Sequence, residues 1–227
     1  MAGVTTPARS RAAAKPAPKA APGAAAKAAP KAAPKAAVAS ERRTDLVRIA
    51  GDLFAEKGFR ATTVREIADA AGILSGSLYH HFDSKESIGD EILSGFLDEV
   101  LADYRNAVAE GGDPRSTIEQ IVRRSTRTLG RHHAALTMLQ RDWVYFSGQP
   151  RFAYLRKALR EIEQIWLSQL EEGIRTGAFR SDLDPKLTYR LLRDVLWMPS
   201  SWRGGRWSGE QIVNGFLDLL FVGITRR

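Results

Sequence analysis

Cysteine is absent from the 227-residue chain, which excludes disulfides, thiolate metal sites and a cysteine nucleophile together. Long apolar runs are missing as well. The longest, Phe216 to Ile224, is interrupted by Asp218 and falls short of the roughly 18 to 20 residues that span a bilayer, so no membrane partner is expected. Histidine is scarce: the four present form the neighbouring pairs His80-His81 and His132-His133. Adjacent helical residues point about 100° apart, a poor geometry for sharing one metal ion. No His-Glu-x-x-His, Gly-x-Ser-x-Gly, Gly-x-Gly-x-x-Gly or Walker motif occurs, and neither an enzyme, a bound metal nor a cofactor is expected. Sustained strand alternation and Asn-Gly or Asp-Gly hairpin turns are lacking too.

What the chain has is an excess of positive charge, +8 overall, unevenly placed. Residues 1–40 carry seven bases (Arg9, Arg11, Lys15, Lys19, Lys27, Lys31, Lys35) and no acid, leaving 27 bases against 26 acids in the other 187 residues. The body is therefore nearly neutral and the basicity belongs to the leading segment. That segment holds 18 Ala and six of the ten Pro, with a Lys-Ala-Ala-Pro repeat over 27–34. Recurrent proline removes helical hydrogen bonds and lysine keeps the chain solvated, so 1–40 is expected to be a disordered arm. It lacks the apolar stretch of a signal peptide, and its prolines spoil a transit helix. Two readings stay open: a sequence-neutral DNA tether acting through counterion release, or a solubilising leader without a partner.

From Glu41 onward the apolar spacing is helical. Leu46, Ile49, Ala50, Leu53 and Phe54 follow the i, i+3, i+4, i+7 rule up to Gly58, a left-handed stop. Thr63 and Glu66 form a capping box for a short helix over 63–71, ended by Gly72. A third segment, 75–82, is anchored by Leu78 and Phe82. Asp83 or Ser84 caps a longer helix bearing Ile88, Ile92, Phe96 and Val100, and further helices are predicted near 115–130, 132–146, 151–176, 185–198 and 209–225. The fold class is all-α.

Two short helices joined by Ala70-Ala-Gly-Ile-Leu-Ser75 behind a supporting helix form a helix-turn-helix pattern. Its third segment presents Ser75, Gly76, Ser77, Tyr79, His80 and His81 on the side not used by Leu78 and Phe82. Short donors and ring side chains at a helix N-terminus suit a major groove, and Lys85 is placed for a phosphate. Each has a plainer reading: Tyr79 as a core tyrosine, Thr63 as an N-cap only, His80-His81 as a solvated pair. The block Phe54-Ala-Glu-Lys-Gly-Phe59, Thr62-Thr-Val-Arg-Glu-Ile-Ala68, Ala71-Gly72 and Ser77-Leu-Tyr-His-His-Phe-Asp-Ser-Lys-Glu86 strongly resembles the DNA-binding domain of the TetR family of bacterial transcriptional regulators. The resemblance covers about residues 43–92. It implies a nine-helix homodimer, with three N-terminal helices on double-stranded operator DNA and a C-terminal bundle that dimerises and binds a small effector. It also implies that Thr63, Tyr79 and Lys85 touch phosphates while Ser75, Ser77 and His80 face bases. The long basic arm departs from the family pattern. The expected division is an arm at 1–40, a DNA-binding domain at 41–90 and an effector-binding and dimerisation domain at 91–227, in a cytoplasmic, nucleoid-associated protein.

The C-terminal half is rich in aromatics, including Trp143, Tyr145, Phe146, Phe152, Tyr154, Trp166, Trp197, Trp202 and Trp207. Trp143, Phe146, Phe152 and Trp166 are expected in packing or in the lining of an apolar pocket. The helix at 185–198 sets Leu187, Leu191, Val195 and Met198 on one stripe, read as the main core face, and Arg190, Arg193 and Trp197 on another side. Guanidinium groups beside an indole suit an anionic ligand with a flat apolar part. An exposed cation–π stack, or a dimer contact through Asp194, remains the alternative. Residues 209–225 are apolar over most of their circumference, and a four-helix interface with 185–198 across a two-fold axis would cover them. The segment Tyr189-Arg-Leu-Leu-Arg-Asp-Val-Leu-Trp-Met-Pro-Ser-Ser-Trp-Arg203 is similar to that of actinobacterial TetR-type repressors of cholesterol and ketosteroid catabolism, which implies as effector a CoA thioester from steroid-ring degradation. A fatty acyl-CoA or drug-like hydrophobic effector is the alternative, as is a nonspecific architectural DNA binder acting through the arm.

Overall fold

The computed structural model describes residues 33–197 and 208–224. Among them nine α-helices and one short 3-10 turn supply the regular structure, and no β-strand forms. Residues 1–32 of the expected arm, and Met198, Trp202 and Trp207, lie outside the described residues.

Helix α1 spans Ala33–Lys57 and so begins eight residues inside the expected arm. The cause is local. Pro34 is the last proline before Pro114 and stands in the first turn, where an amide has no helical partner to lose; the alanines behind it favour helix. Leu46, Ala50 and Phe54 are buried along α1, as their spacing predicts. Helix α2, Val64–Ala70, and α3, Ser75–Leu78, pack on one another, and α2 also packs on α1. The third segment is shorter than 75–82: past Leu78 it tightens, with the His81 and Phe82 amides both donating to the Leu78 carbonyl at 2.9 and 3.0 Å. Phe82 still reaches the core.

Helix α4, Lys85–Ala109, is capped by Ser84, which exchanges hydrogen bonds with Ser87. It buries Ile88, Ile92, Phe96 and Val100 and packs against α1, α5 (Pro114–Arg131), α6 (His133–Ser147) and α7 (Tyr154–Arg175). Helix α4 passes residue 90 unbroken, so the regions expected on either side of that boundary share one continuous helix. The helix predicted over 151–176 opens instead as a 3-10 turn at Pro150–Phe152 before α7 begins.

Helix α8, Pro185–Leu196, packs on α7, and α9, Gly209–Ile224, packs on α5. The stripe read as the core face of α8 faces outward: Leu187, Leu191 and Val195 are 57, 60 and 41% exposed. Tyr189 and Leu192 are buried instead. An amphipathic wheel with two apolar sides does not say which side turns inward; here the bulky Tyr189 settles against Trp166, ring centroids 6.4 Å apart. On α9, Val213, Leu217, Leu220 and Phe221 are buried while Leu219 and Val222 stand exposed. No helix among the described residues is long and apolar enough to cross a membrane.

Candidate functional site

The helix-turn-helix is built by reciprocal capping and a tight turn. Thr63 has the extended backbone of an N-cap; its hydroxyl oxygen accepts from the Glu66 amide, and Glu66 accepts from the Thr63 amide at 2.8 Å. Lys57 donates to the same carboxylate at 2.8 Å. The Lys57 hydrogen bond, with the Thr63 amide and hydroxyl next, holds the Glu66 carboxyl down to about 2. At the turn Gly72 takes φ +66°, a left-handed conformation that favours glycine, and the Ile73 amide donates to the Ala68 carbonyl at 3.0 Å. Arg42 on α1 donates to the Ala71 carbonyl at 3.0 Å, and Arg43 donates to the His81 carbonyl and to Glu91. The turn and the far end of α3 are thus both tied to α1.

This frame leaves the expected DNA face open. Tyr79 is 55% exposed, Gly76 and His80 are exposed, and Ser75, Ser77 and His81 are half-buried. Thr63, Tyr79 and Lys85 come together around one groove, joined by Arg60, which sequence reasoning missed. Arg60 is a single base in the loop before Thr63, and only the fold brings it beside Tyr79.

Lys85 has partners within the fold. Its ammonium donates to the carbonyls of Phe59 and Thr62, both at 2.8 Å, and lies 4.7 Å from the Phe59 ring centroid; burial pushes its pKa below the usual lysine value. A lysine so placed ties the α1–α2 loop to the start of α4, a structural role that the expected phosphate contact did not include.

A second site lies between α6, α7 and α8, a cavity of about 610 Å³. Trp143, Arg193 and Trp197, three of the five expected effector residues, line it together. Leu139 and Leu159 add apolar wall; Gln140, Arg160, Glu163 and Tyr189 add polar groups not anticipated from sequence. Burial pushes the Tyr189 hydroxyl up to about 12, so it stays a neutral donor. Arg193 donates to Asp194 at 2.7 Å, whereas Arg160 makes no ion pair among the described residues. Trp197 sits edge-on to Phe96 at 6.1 Å, and Gln140 donates to its carbonyl.

The other two expected effector residues do not reach this cavity. Arg190 is exposed and outside it: it shares a helix side with Trp197 but stands seven residues earlier, about 10 Å along the axis. Trp166 is 2% exposed and edge-on to Tyr104 at 6.2 Å. It supports Tyr189 from behind and does not line the cavity.

Helix α6 joins the two sites. Gln140 and Trp143 face the cavity, while between them Arg141 donates to the Glu56 carbonyl at 3.2 Å and Asp142 accepts from the Phe59 amide at 3.0 Å. Tyr145 donates to Glu86 at 3.0 Å. Asp142 is kinked, with φ −113° and ψ 20° inside the helix. The Phe59 ring fills the joint against Phe54, Tyr145 and Phe146, and it approaches α4 so closely that a Cβ at Gly89 would fall 2.8 Å from it.

The family model of bacterial regulatory proteins of the tetR family matches residues 46–92, and that of the tetracyclin repressor-like C-terminal domain matches 111–224. The HTH-type transcriptional repressor KstR2 of Rhodococcus jostii is 46% identical over 82% of this chain and 92% of its own length. The solved structure of the ketosteroid transcriptional regulator KstR2 of Mycobacterium tuberculosis is 41% identical, with TM-score 0.79 over 82% of this chain and 96% of that one. The structure of AibR in complex with isovaleryl coenzyme A and operator DNA shares the fold, with TM-score 0.67 at 20% identity, over 79% of this chain and 98% of that one. With both family models matched in order and relatives of this identity covered almost end to end, the chain belongs to the TetR family of bacterial transcriptional regulators.

Proposed function

We propose that this regulator is a homodimeric repressor that sets two copies of α3 in successive major grooves of a palindromic operator and is released when a CoA thioester from steroid-ring degradation enters the α6–α7–α8 cavity. The observation that carries the effector assignment is the pairing, in one cavity, of two indoles and two leucines with the Arg160 and Arg193 guanidinium groups. Indole and leucine suit a fused-ring acyl part, and guanidinium suits the phosphates of coenzyme A. The KstR2 relatives carry transcriptional repressor, and in one case ketosteroid regulator, in their names, which supports the same class.

On the DNA side, Thr63, Tyr79 and Arg60 meet phosphates, and Ser75, Gly76, Ser77, His80 and His81 lie along the bases. Two half-sites then stand about one helical turn apart, near 34–36 Å, a separation the two-fold axis fixes. The uncovered stripes of α8 and α9 supply that axis. Such a protein works at the nucleoid in the cytoplasm.

Two measurements test this reading. Footprinting on DNA upstream of the gene is expected to protect an inverted repeat, and protection without one contradicts the dimeric geometry. Calorimetric titration of the free protein is expected to give tighter binding for a steroid-derived acyl-CoA than for a fatty acyl-CoA or the free steroid acid. Equal affinity for acid and thioester would instead favour a plain hydrophobic effector.

A further inference from the structure

The recognition segment begins on a residue whose side chain does nothing for the fold. Leu74 occupies the N-cap of α3, with φ −71° and ψ 144°, yet it makes no side-chain cap hydrogen bond. Serine, threonine, aspartate or asparagine there would satisfy one of the free amides of the first turn. Nor is Leu74 packed: at 80% exposure it contrasts with Leu78, 2% exposed and anchoring the same segment four residues later. The residues that follow it, Ser75, Gly76 and Ser77, are small, and a Cβ placed on Gly76 would meet nothing within 4 Å. Leucine is therefore the bulkiest group at the leading end of α3, and the short side chains beside it let backbone approach a partner closely.

An apolar side chain at that place has one apolar target in a major groove, the C5-methyl of thymine; the other groups on base edges there are hydrogen-bond donors and acceptors. We propose that Leu74 is a specificity-determining residue that reads one thymine methyl in each operator half-site. The assignment rests on the reading above that α3 enters the major groove. It adds apolar readout to a face otherwise made of serine hydroxyls and imidazoles. Giving up the cap at Leu74 sacrifices local helix stability for that contact.

The full chain is first used to select its site from a random-sequence duplex library. In the selected palindrome each symmetry-related pair of thymines is then replaced by deoxyuridine, which removes the methyl and leaves base pairing intact. One pair is expected to cost about fourfold per half-site, or about fifteenfold for the whole site, the equivalent of losing one buried methyl group twice. Leu74→Ala is expected to lose that sensitivity, binding thymine and deoxyuridine sites alike. Leu74→Ser, which restores a cap, is expected to match Leu74→Ala on DNA while melting no lower than wild type. If no thymine pair is methyl-sensitive, or if Leu74→Ala keeps the full sensitivity, Leu74 does not read thymine and its exposure has another cause, such as a protein contact. Failure to select any palindrome overturns the groove reading itself, and this inference with it.

Discussion

The ammonium group of Lys85 makes two 2.8 Å hydrogen bonds to carbonyl oxygens of the loop before α2, a structural role that stability measurements can isolate. Lys85→Met keeps the apolar stem but strips both carbonyls of their donor, so it is expected to destabilise the DNA-free protein by about 2 kcal/mol in urea unfolding; a lysine reserved for phosphate would leave that midpoint unchanged. Glu66 gives a second expectation, in pH. Its folded pKa, about 2, lies below the ordinary carboxylate value of 4.5, so the unfolded chain binds the proton more readily. The stabilisation is complete above about pH 4.5 and is lost as pH falls towards 2. Thr63→Ala removes part of the cause and is expected to flatten that acid limb, read as the change in melting temperature between pH 5 and pH 3. The Thr63–Glu66 capping box was legible because it is a pattern four residues long. The loop partners of Lys85 were not legible because they lie 23 and 26 residues away, beyond any local spacing rule.

Among the elements, α6 carries the most consequence for how one site informs the other. Its kink at Asp142 places that carboxylate on the Phe59 amide while its neighbours Gln140 and Trp143 face the cavity. Displacing α6 from the cavity side would therefore pull on the α1–α2 loop that carries Arg60 and Thr63. Asp142→Ala is expected to leave the buried Phe59 amide without its acceptor, costing about 1–2 kcal/mol in unfolding. It is also expected to raise the effector concentration needed for half-release of DNA without changing effector affinity for the free protein, measured by paired release and calorimetric titrations. Equal shifts in both titrations would locate the defect in the cavity instead. Helix periodicity disclosed nearly every element, since 3.6-residue spacing is local information. It misjudged α8, where Leu187, Leu191 and Val195 form as good a stripe as the one that is buried. Which stripe turns inward depends on Trp166 of α7, and that contact is not written within α8.

At the scale of the whole molecule, the outward leucines and valines of α8 and α9 stand as a surface that a second copy would remove from water. Leu191→Glu puts a charge at the middle of the α8 stripe without touching a buried residue, so the monomer should fold with its helical content intact. Sedimentation is expected to show loss of the dimer, and operator affinity is expected to fall by about a hundredfold or more, because two half-sites are no longer held together. A dimeric Leu191→Glu protein would show that the interface lies elsewhere. The family, the all-α class and the DNA-binding block were legible because they rest on contiguous motifs. The cavity was only half legible: Arg193 and Trp197 are an i, i+4 pair, whereas Arg160, Glu163 and Gln140 join them only once α6, α7 and α8 are assembled.

If an acyl-CoA in the α6–α7–α8 cavity detaches α3 from DNA, a DNA-release titration will register it. Operator-bound wild type, Arg193→Met and Trp197→Ala proteins are titrated with a steroid-derived CoA thioester, a fatty acyl-CoA and the free steroid acid. The steroid thioester is expected to release wild type at the lowest concentration. Both variants are expected to bind operator as wild type does, since neither residue lies in the DNA-binding block, yet to need about tenfold more thioester, the equivalent of about 1.4 kcal/mol of lost differential binding. Release by the free acid as effective as by its thioester, or variants that respond like wild type, would contradict it.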